Sequence, residues 1–370
     1  MQKSDNSTII QPLTLGRYTL TVPLFQGGMG VGISRSSLAG AVAANGALGT
    51  ISTAQIGYDE DGFETDQEGC NLRAIAKHIR RAKEIAAGNG MVAVNVMVAL
   101  KHYREHVKAA AAAGADAIIC GAGLPLDLPK LVAEAVTDGK ELPLIAPIVS
   151  SARAALLLLK NWDRQYGKCP DFIIAEGPDA GGHLGFSKEE LADIPAIRFD
   201  HRIEEIIACK KPYEEKYGHK IPLIAGGGIF TREDVLHVLS LGADGVQVAS
   251  RFVVTKQCDA SDAYKQAYID CTREDIQIVK SPVGMPGRAI RNAFIKRLEE
   301  VRTPIQKCYH CLASCDPSKV PYCITLALTN AVKGDLEHGL IFCGANTYRI
   351  QEMTTVPDLI QELIGNAADK

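Results

Sequence analysis

The chain has 370 residues, 46% of them hydrophobic and 22% charged, an ordinary globular composition. Its 40 basic residues against 43 acidic ones leave a net charge of -3, so no basic field exists to hold a phosphate backbone and nucleic acid is not an expected partner. Residues 1–6 are polar, no apolar run is long enough to span a bilayer, and eleven cysteines without a secretion signal point to a reducing compartment; the expectation is a cytoplasmic protein with no membrane partner.

From about residue 21 to about residue 271, short apolar runs alternate with longer amphipathic stretches. The runs at 22–26, 47–51, 92–97, 117–120, 144–147, 172–176, 223–225 and 245–249 predict eight strands. Each is short and continuously apolar, as in a parallel sheet buried on both faces. Between them, residues 71–88 carry Leu72, Ile75, Ala76, Ile79 and Ala82 at helical spacing, with Asn71 able to cap and Gly88 able to terminate. Thr231-Arg-Glu-Asp234 has the form of a capping box. Gly-Ala-Asp recurs at 114–116 and 242–244, each time just before a strand, a weak echo of a repeating unit.

Eight βα units with short connections predict an α/β fold, a (β/α)8 TIM barrel over residues 1–272, rather than an open doubly wound sheet. Residues 273–370 form a C-terminal helical extension that carries a cysteine cluster and packs on the barrel. The connection from Gly177 to about Arg202 is long for this plan, and a long loop at the carboxyl end of a strand usually covers or carries a site.

Three glycine clusters follow three different strands: Gln26-Gly27-Gly28-Met29-Gly30, Gly181-Gly182-His183 and Gly226-Gly227-Gly228. In a barrel all three lie on the carboxyl-end face, where glycine lets backbone N–H groups approach an anion closely. Gly227, Gly228 and Gln247-Val248-Ala249-Ser250 sit at strands seven and eight, the usual phosphate grip of such barrels. A dinucleotide motif fails on spacing, and neither a P-loop nor an H-E-x-x-H zinc motif is present. His183, behind two glycines and near Glu176 and Asp179, has the chemistry to take a carbon-bound proton or to hydrogen-bond a developing oxyanion.

Pro23-Leu-Phe-Gln-Gly-Gly-Met-Gly30, Val94-Asn-Val-Met97, Glu176-Gly-Pro-Asp-Ala-Gly-Gly-His183, Ile224-Ala-Gly-Gly-Gly-Ile229 and Gly245-Val-Gln-Val-Ala-Ser-Arg-Phe252 stand in an order and spacing that resembles the nitronate monooxygenase (2-nitropropane dioxygenase) family. Flavin-dependent enoyl-ACP reductases share most of these motifs, and Gly284-Met-Pro-Gly-Arg288…Asn292 is similar to a later family segment. The resemblance implies a barrel that binds FMN without covalent attachment. Gln26, Gly27, Gly28, Met29 and Gly30 would pass along the ring and Asn95 would bond the ring or ribityl chain. Gly181, Gly182, Gly227, Gly228, Gln247, Val248, Ala249 and Ser250 would hold the phosphate through backbone, with Glu176 also at the cofactor. His183 falls on the family's catalytic histidine. Glu176 stands where the family commonly has Gln, Asp179 where it has Glu, and Ala249-Ser250 where Gly-Thr is usual.

Cys308-Tyr-His-Cys311-Leu-Ala-Ser-Cys315 followed by Cys323 places four thiols at spacings that can converge on one metal centre. The pattern is similar to the cluster-binding segment of dienoyl-CoA-reductase-type enzymes, which implies a [4Fe-4S] cluster, with Zn as the alternative. Such a centre would anchor a polar, proline-punctuated segment that has little apolar surface of its own.

The leading expectation is an FMN-dependent oxidoreductase that oxidises nitronate-type carbon acids with His183 as base. The alternatives are an NAD(P)H-dependent flavin reductase of enoyl thioesters or quinones, and a non-catalytic barrel that binds a phosphorylated ligand. The expected partner is a small-molecule substrate, and a homodimer is compatible with the sequence.

Overall fold

The computed structural model describes residues 10–136, 141–301 and 304–365. The polar stretch 1–6 read above lies outside the described residues.

Eight parallel strands close into a barrel: β1 (Leu24–Gln26), β2 (Leu48–Ser52), β3 (Met91–Met97), β4 (Ala117–Gly121), β5 (Leu144–Val149), β6 (Ile173–Glu176), β7 (Leu223–Gly226) and β8 (Gly245–Val248). Neighbours in sequence are neighbours in the barrel, and β8 closes on β1 with Gln247 opposite Phe25. All eight strands lie where the apolar runs predict them. The physical reason is double burial: their inner faces meet one another and their outer faces meet the helices, so no polar alternation is needed.

The sequence echo Gly-Ala-Asp has a mechanical role. Asp116, just before β4, accepts the Val92 N–H at the start of β3 (2.8 Å), and Asp244, just before β8, accepts the Leu223 N–H at the start of β7 (3.0 Å). Asp171, before β6, does the same for Ile145 at β5 (2.7 Å). These carboxylates pin three pairs of neighbouring strands together at the amino end of the barrel. An antiparallel hairpin, Leu13–Leu15 with Tyr18–Leu20, covers that end and buries Leu15 and Leu20. The interior is filled by Leu15, Leu20, Phe25 and Phe172, the two phenyl rings meeting edge to face at 5.6 Å. A plugged interior leaves the carboxyl-end mouth as the place for a ligand.

Two boundary expectations shift. The helix expected from Asn71 begins a turn earlier, as Gln67–Ala86, because Asp66 caps it by accepting the Gly69 N–H (2.9 Å). Asn71 is instead buried inside it, where its side chain accepts the Gly57 N–H and donates to Gln55. The helix ends at Ala87, in left-handed conformation (φ 49°), one residue before the expected Gly88. The Thr231–Asp234 capping box forms as read, with Asp234 accepting the Thr231 and Phe230 N–H groups at 2.8 and 2.9 Å.

Beyond the barrel, strands Ile276–Lys280 and Pro286–Ile290 form an antiparallel pair, and the second also pairs with Gly182–His183 from the long β6 loop. Helix Val356–Ile364 returns to the barrel wall, where Glu362 meets the Arg251 guanidinium at 2.9 and 2.6 Å. The residues after 272 thus build part of the barrel mouth. Among the described residues, no helix is long and apolar enough to cross a membrane.

Candidate active site

A cavity of about 360 Å³ opens at the carboxyl-end mouth, within the size range of small-molecule sites. Gly27, Gly28, Met29, Gly30, Asn95, Glu176, Gly181, Gly182, His183, Gly227, Gly228, Gln247, Val248, Ala249 and Ser250 all line it. The three glycine clusters therefore converge, as the barrel topology requires of residues that follow β1, β6 and β7. Gln26 is the exception. Its side chain is fully buried below the mouth, where it accepts the Thr50 N–H (3.0 Å) and donates to the Gly27 carbonyl, so it staples β1 to β2.

The glycines are required by space. A Cβ on Gly28 would stand 2.4 Å from Asn95 Cβ, and one on Gly181 would stand 2.7 Å from the Cys343 carbonyl carbon. Gly227 and Gly228 both adopt positive φ (93° and 94°), and a Cβ on Gly227 would meet the Gly177 backbone at 2.8 Å. These turns leave the N–H groups of Gly181, Gly227 and Gly228 without an acceptor among the described residues. The Thr50 hydroxyl, on the cavity wall, is likewise buried without a partner among the described residues. Unpaired donors around one cavity are the signature of a polar ligand's place.

Burial sets the charge state of two of the titratable groups that face the cavity, His183 and Glu176. His183 is pushed down from 6.5 to about 4, so its imidazole is neutral at pH 7. Its Nε2 lies 2.7 Å from Ser281 Oγ, and its ring meets Phe342 edge-on at 4.9 Å. Glu176 is pushed up from 4.5 to about 8, so at pH 7 it is mainly a neutral carboxylic acid. Neutral Glu resembles the Gln expected there, in that both offer a donor and an acceptor without charge. Arg288, 3% exposed, donates to the Pro178 carbonyl (2.7 Å) and to that of Ala180, and so shapes the turn that delivers Gly181, Gly182 and His183.

A pH-dependent effect follows from Glu176. The folded protein keeps a proton that the unfolded chain releases above 4.5, so the carboxyl group costs increasing stability as pH rises from 4.5 through 8. Glu176→Gln is therefore expected to raise the melting temperature of the flavin-free protein at pH 9 by roughly 2–4 °C, with no difference near pH 4. Equal melting curves at both pH values would show that the carboxyl group is solvated.

Several cavity residues carry no motif in the sequence. Phe342, Cys343, Gly344 and Asn346 come from the C-terminal extension. The 343–346 turn is clipped over the glycine cradle: the Gly344 N–H donates to Ser250 Oγ (2.9 Å), Ala345 N–H to the Asp179 carbonyl (3.1 Å), and Asn346 Nδ2 to the Gly228 carbonyl (2.7 Å). Gly344-Ala-Asn346 behind the apolar Leu340-Ile-Phe342 is a turn signal, but only the fold reveals what it covers.

Cys308, Cys311, Cys315 and Cys323, expected to hold a metal centre, lie near enough to act on one another electrostatically, but a metal site is not formed: among the described residues, no three or more His, Cys, Asp or Glu side chains are grouped to hold a metal ion. The segment is also anchored by contacts of its own. Leu312 bridges to Leu100, the Lys101 and Ala313 N–H groups bond the Cys311 and Ala99 carbonyls, and Tyr309 stacks on Phe63 at 6.2 Å. The thiol of Cys308 accepts the His310 N–H (3.4 Å), and burial pushes Cys311 up to about 11.

A family model described as nitronate monooxygenase matches residues 12–366. A probable nitronate monooxygenase of Staphylococcus aureus (strain Newman) is 32% identical over 130 residues, which cover 35% of this chain and 34% of that protein. The matched part thus spans about a third of the length of this curated relative. Among solved structures, FabK from Thermotoga maritima superposes with a TM-score of 0.68 at 22% identity, covering 93% of each chain. A nitroalkane oxidase from Streptomyces ansochromogenes gives 0.68 at 18% identity, covering 94% of this chain and 96% of that one. At these identities the two superpositions establish the shared fold.

Proposed function

Since the chain belongs to the nitronate monooxygenase family, we propose that it is an FMN-dependent oxidoreductase that oxidises nitronate-type carbon acids, with His183 as the residue that meets the substrate. What carries this reading is one cavity with backbone donors at Gly181, Gly227 and Gly228 that have no partner among the described residues, and a neutral histidine in the same wall. The glycine turns fit a phosphate, since positive φ and missing Cβ atoms let N–H groups converge on it. Gly27, Gly28, Met29, Gly30 and Asn95 would line the flat ring, and the partnerless Thr50 hydroxyl offers it a further bond.

When bound, FMN supplies a two-electron acceptor. The chain's own residues bind, orient and manage protons. The 343–346 turn closes the cradle over Ser250 and keeps water from the phosphate end. His183, held between Ser281 and Phe342, is ready either to accept a substrate proton or to donate to a substrate oxygen. Glu176 adds no negative charge near neutrality, which favours an anionic substrate in the same cavity.

The test is anaerobic flavin bleaching with ethylnitronate, NADH and NADPH added separately. Bleaching by ethylnitronate alone is the expected result. Bleaching by NAD(P)H alone would replace this reading with the reductase of enoyl thioesters or quinones. A protein that retains no added FMN would leave a phosphate-ligand-binding barrel.

A further inference from the structure

We propose that Ser281 acts as a positioning residue that locks the tautomer of His183, so that Nδ1 presents a proton to the cavity and the ring serves as a hydrogen-bond donor to a negatively charged substrate oxygen. The inference rests on the reading that this cavity receives the substrate.

The argument is a count of hydrogens. Ser281 is 3% exposed, and its hydroxyl has one hydrogen and two lone pairs. One lone pair accepts the Val283 N–H at 3.2 Å. The only other bond of this hydroxyl among the described residues is to His183 Nε2, at 2.7 Å. A buried hydroxyl hydrogen needs an acceptor, and here Nε2 is that acceptor. With the opposite tautomer, Ser281 would receive two N–H bonds and its own hydrogen would be stranded. A neutral imidazole that accepts at Nε2 carries its hydrogen on Nδ1. Nδ1 has no protein partner among the described residues, and His183 lines the cavity.

Both sides of this pair are fixed. His183 is tied into a strand, opposite Gly287, and the next residue, Leu184, donates to the Pro286 carbonyl at 2.9 Å. Phe342 packs edge-on against its ring. Ser281 directly follows the strand Ile276–Lys280 and begins a turn in which the Gly284 N–H bonds its carbonyl at 3.0 Å. The extension thus controls which nitrogen of a barrel histidine carries the proton.

The consequence concerns substrate class. A donor at Nδ1 favours substrates that arrive with charge already on oxygen, such as preformed nitronates. A neutral carbon acid would need a base there instead, and base assistance is typically worth about 10²–10⁴-fold. Preformed ethylnitronate should therefore exceed neutral nitroethane in kcat/KM by about 10²-fold or more.

The experiment is ¹⁵N NMR of the FMN-loaded protein with labelled histidine, the His183 signals being assigned by their loss in His183→Asn. The expected result is a protonated Nδ1 and an unprotonated Nε2 in the parent. In Ser281→Ala, proton occupancy of Nε2 should appear, with kcat/KM for ethylnitronate lower by about 10-fold, the worth of one hydrogen bond. Ser281→Thr keeps the hydroxyl and should restore the parent pattern, which covers the case of a misfolded alanine variant. A parent with the proton on Nε2, or a folded Ser281→Ala with an unchanged tautomer, overturns the proposal. The NMR readout needs no turnover: Nδ1–H in a protein inactive on nitronate would refute the activity and uphold the Ser281 assignment.

Discussion

Gly227→Val is expected to abolish FMN retention while leaving the barrel folded. Gly227 sits at φ 93°, a region that side chains rarely adopt, and any Cβ would press on the Gly177 N and O at 2.8 Å. The Gly177 N–H is bonded to the Gly226 carbonyl at 2.8 Å, so the new side chain would push apart the β6 and β7 turns at the point where they touch. The N–H groups of Gly227 and Gly228 would then no longer point to a common centre. Each hydrogen bond to a charged phosphate is worth about 1.5–3 kcal/mol, so losing two lowers affinity by about 10²-fold or more. Flavin absorbance after gel filtration measures retention, and circular dichroism with a melting curve reports the fold. Full FMN occupancy in a folded variant would move the phosphate away from β7.

His183→Ala is expected to leave FMN bound and to slow substrate oxidation by about 10²–10⁴-fold. The side chain bonds Ser281 and packs on Phe342, and it contacts none of the cradle's free N–H groups. Its removal should therefore spare affinity for the cofactor. A donor to a developing or existing oxyanion is worth about 10²–10³-fold, so the expected loss stands whether the ring donates or accepts. Single-turnover flavin reduction by ethylnitronate under anaerobic conditions isolates this step from reoxidation. Unchanged reduction kinetics would leave His183 a structural residue that ties the β6 loop to the extension.

The barrel itself was legible in the amino-acid sequence because its signals are local. Eight continuously apolar runs, Gly-Ala-Asp before strands, and the Thr231–Asp234 capping box each depend on residues within a few positions of one another, and the structure contains them all. The glycine clusters were legible for the same reason: barrel topology brings every strand's carboxyl end to one face, so Gly27, Gly182 and Gly227 had to converge. What lies far apart in sequence only the tertiary structure decided. Gln26 belongs to a motif but points into the β1–β2 seam, because its amide finds the Thr50 N–H. Ser281, Phe342 and the 343–346 turn complete the site from far beyond the motif containing His183, through tertiary contacts that no local pattern encodes. The cysteine spacing shows the limit from the other side. Spacing allows four thiols to meet, and the structure brings them near one another, but how closely they group depends on how residues 307–323 dock through contacts of Leu312, Tyr309 and the Cys311 carbonyl with the barrel. The protonation states of Glu176 and His183 were likewise unreadable, since burial, a property of the assembled mouth, moves both.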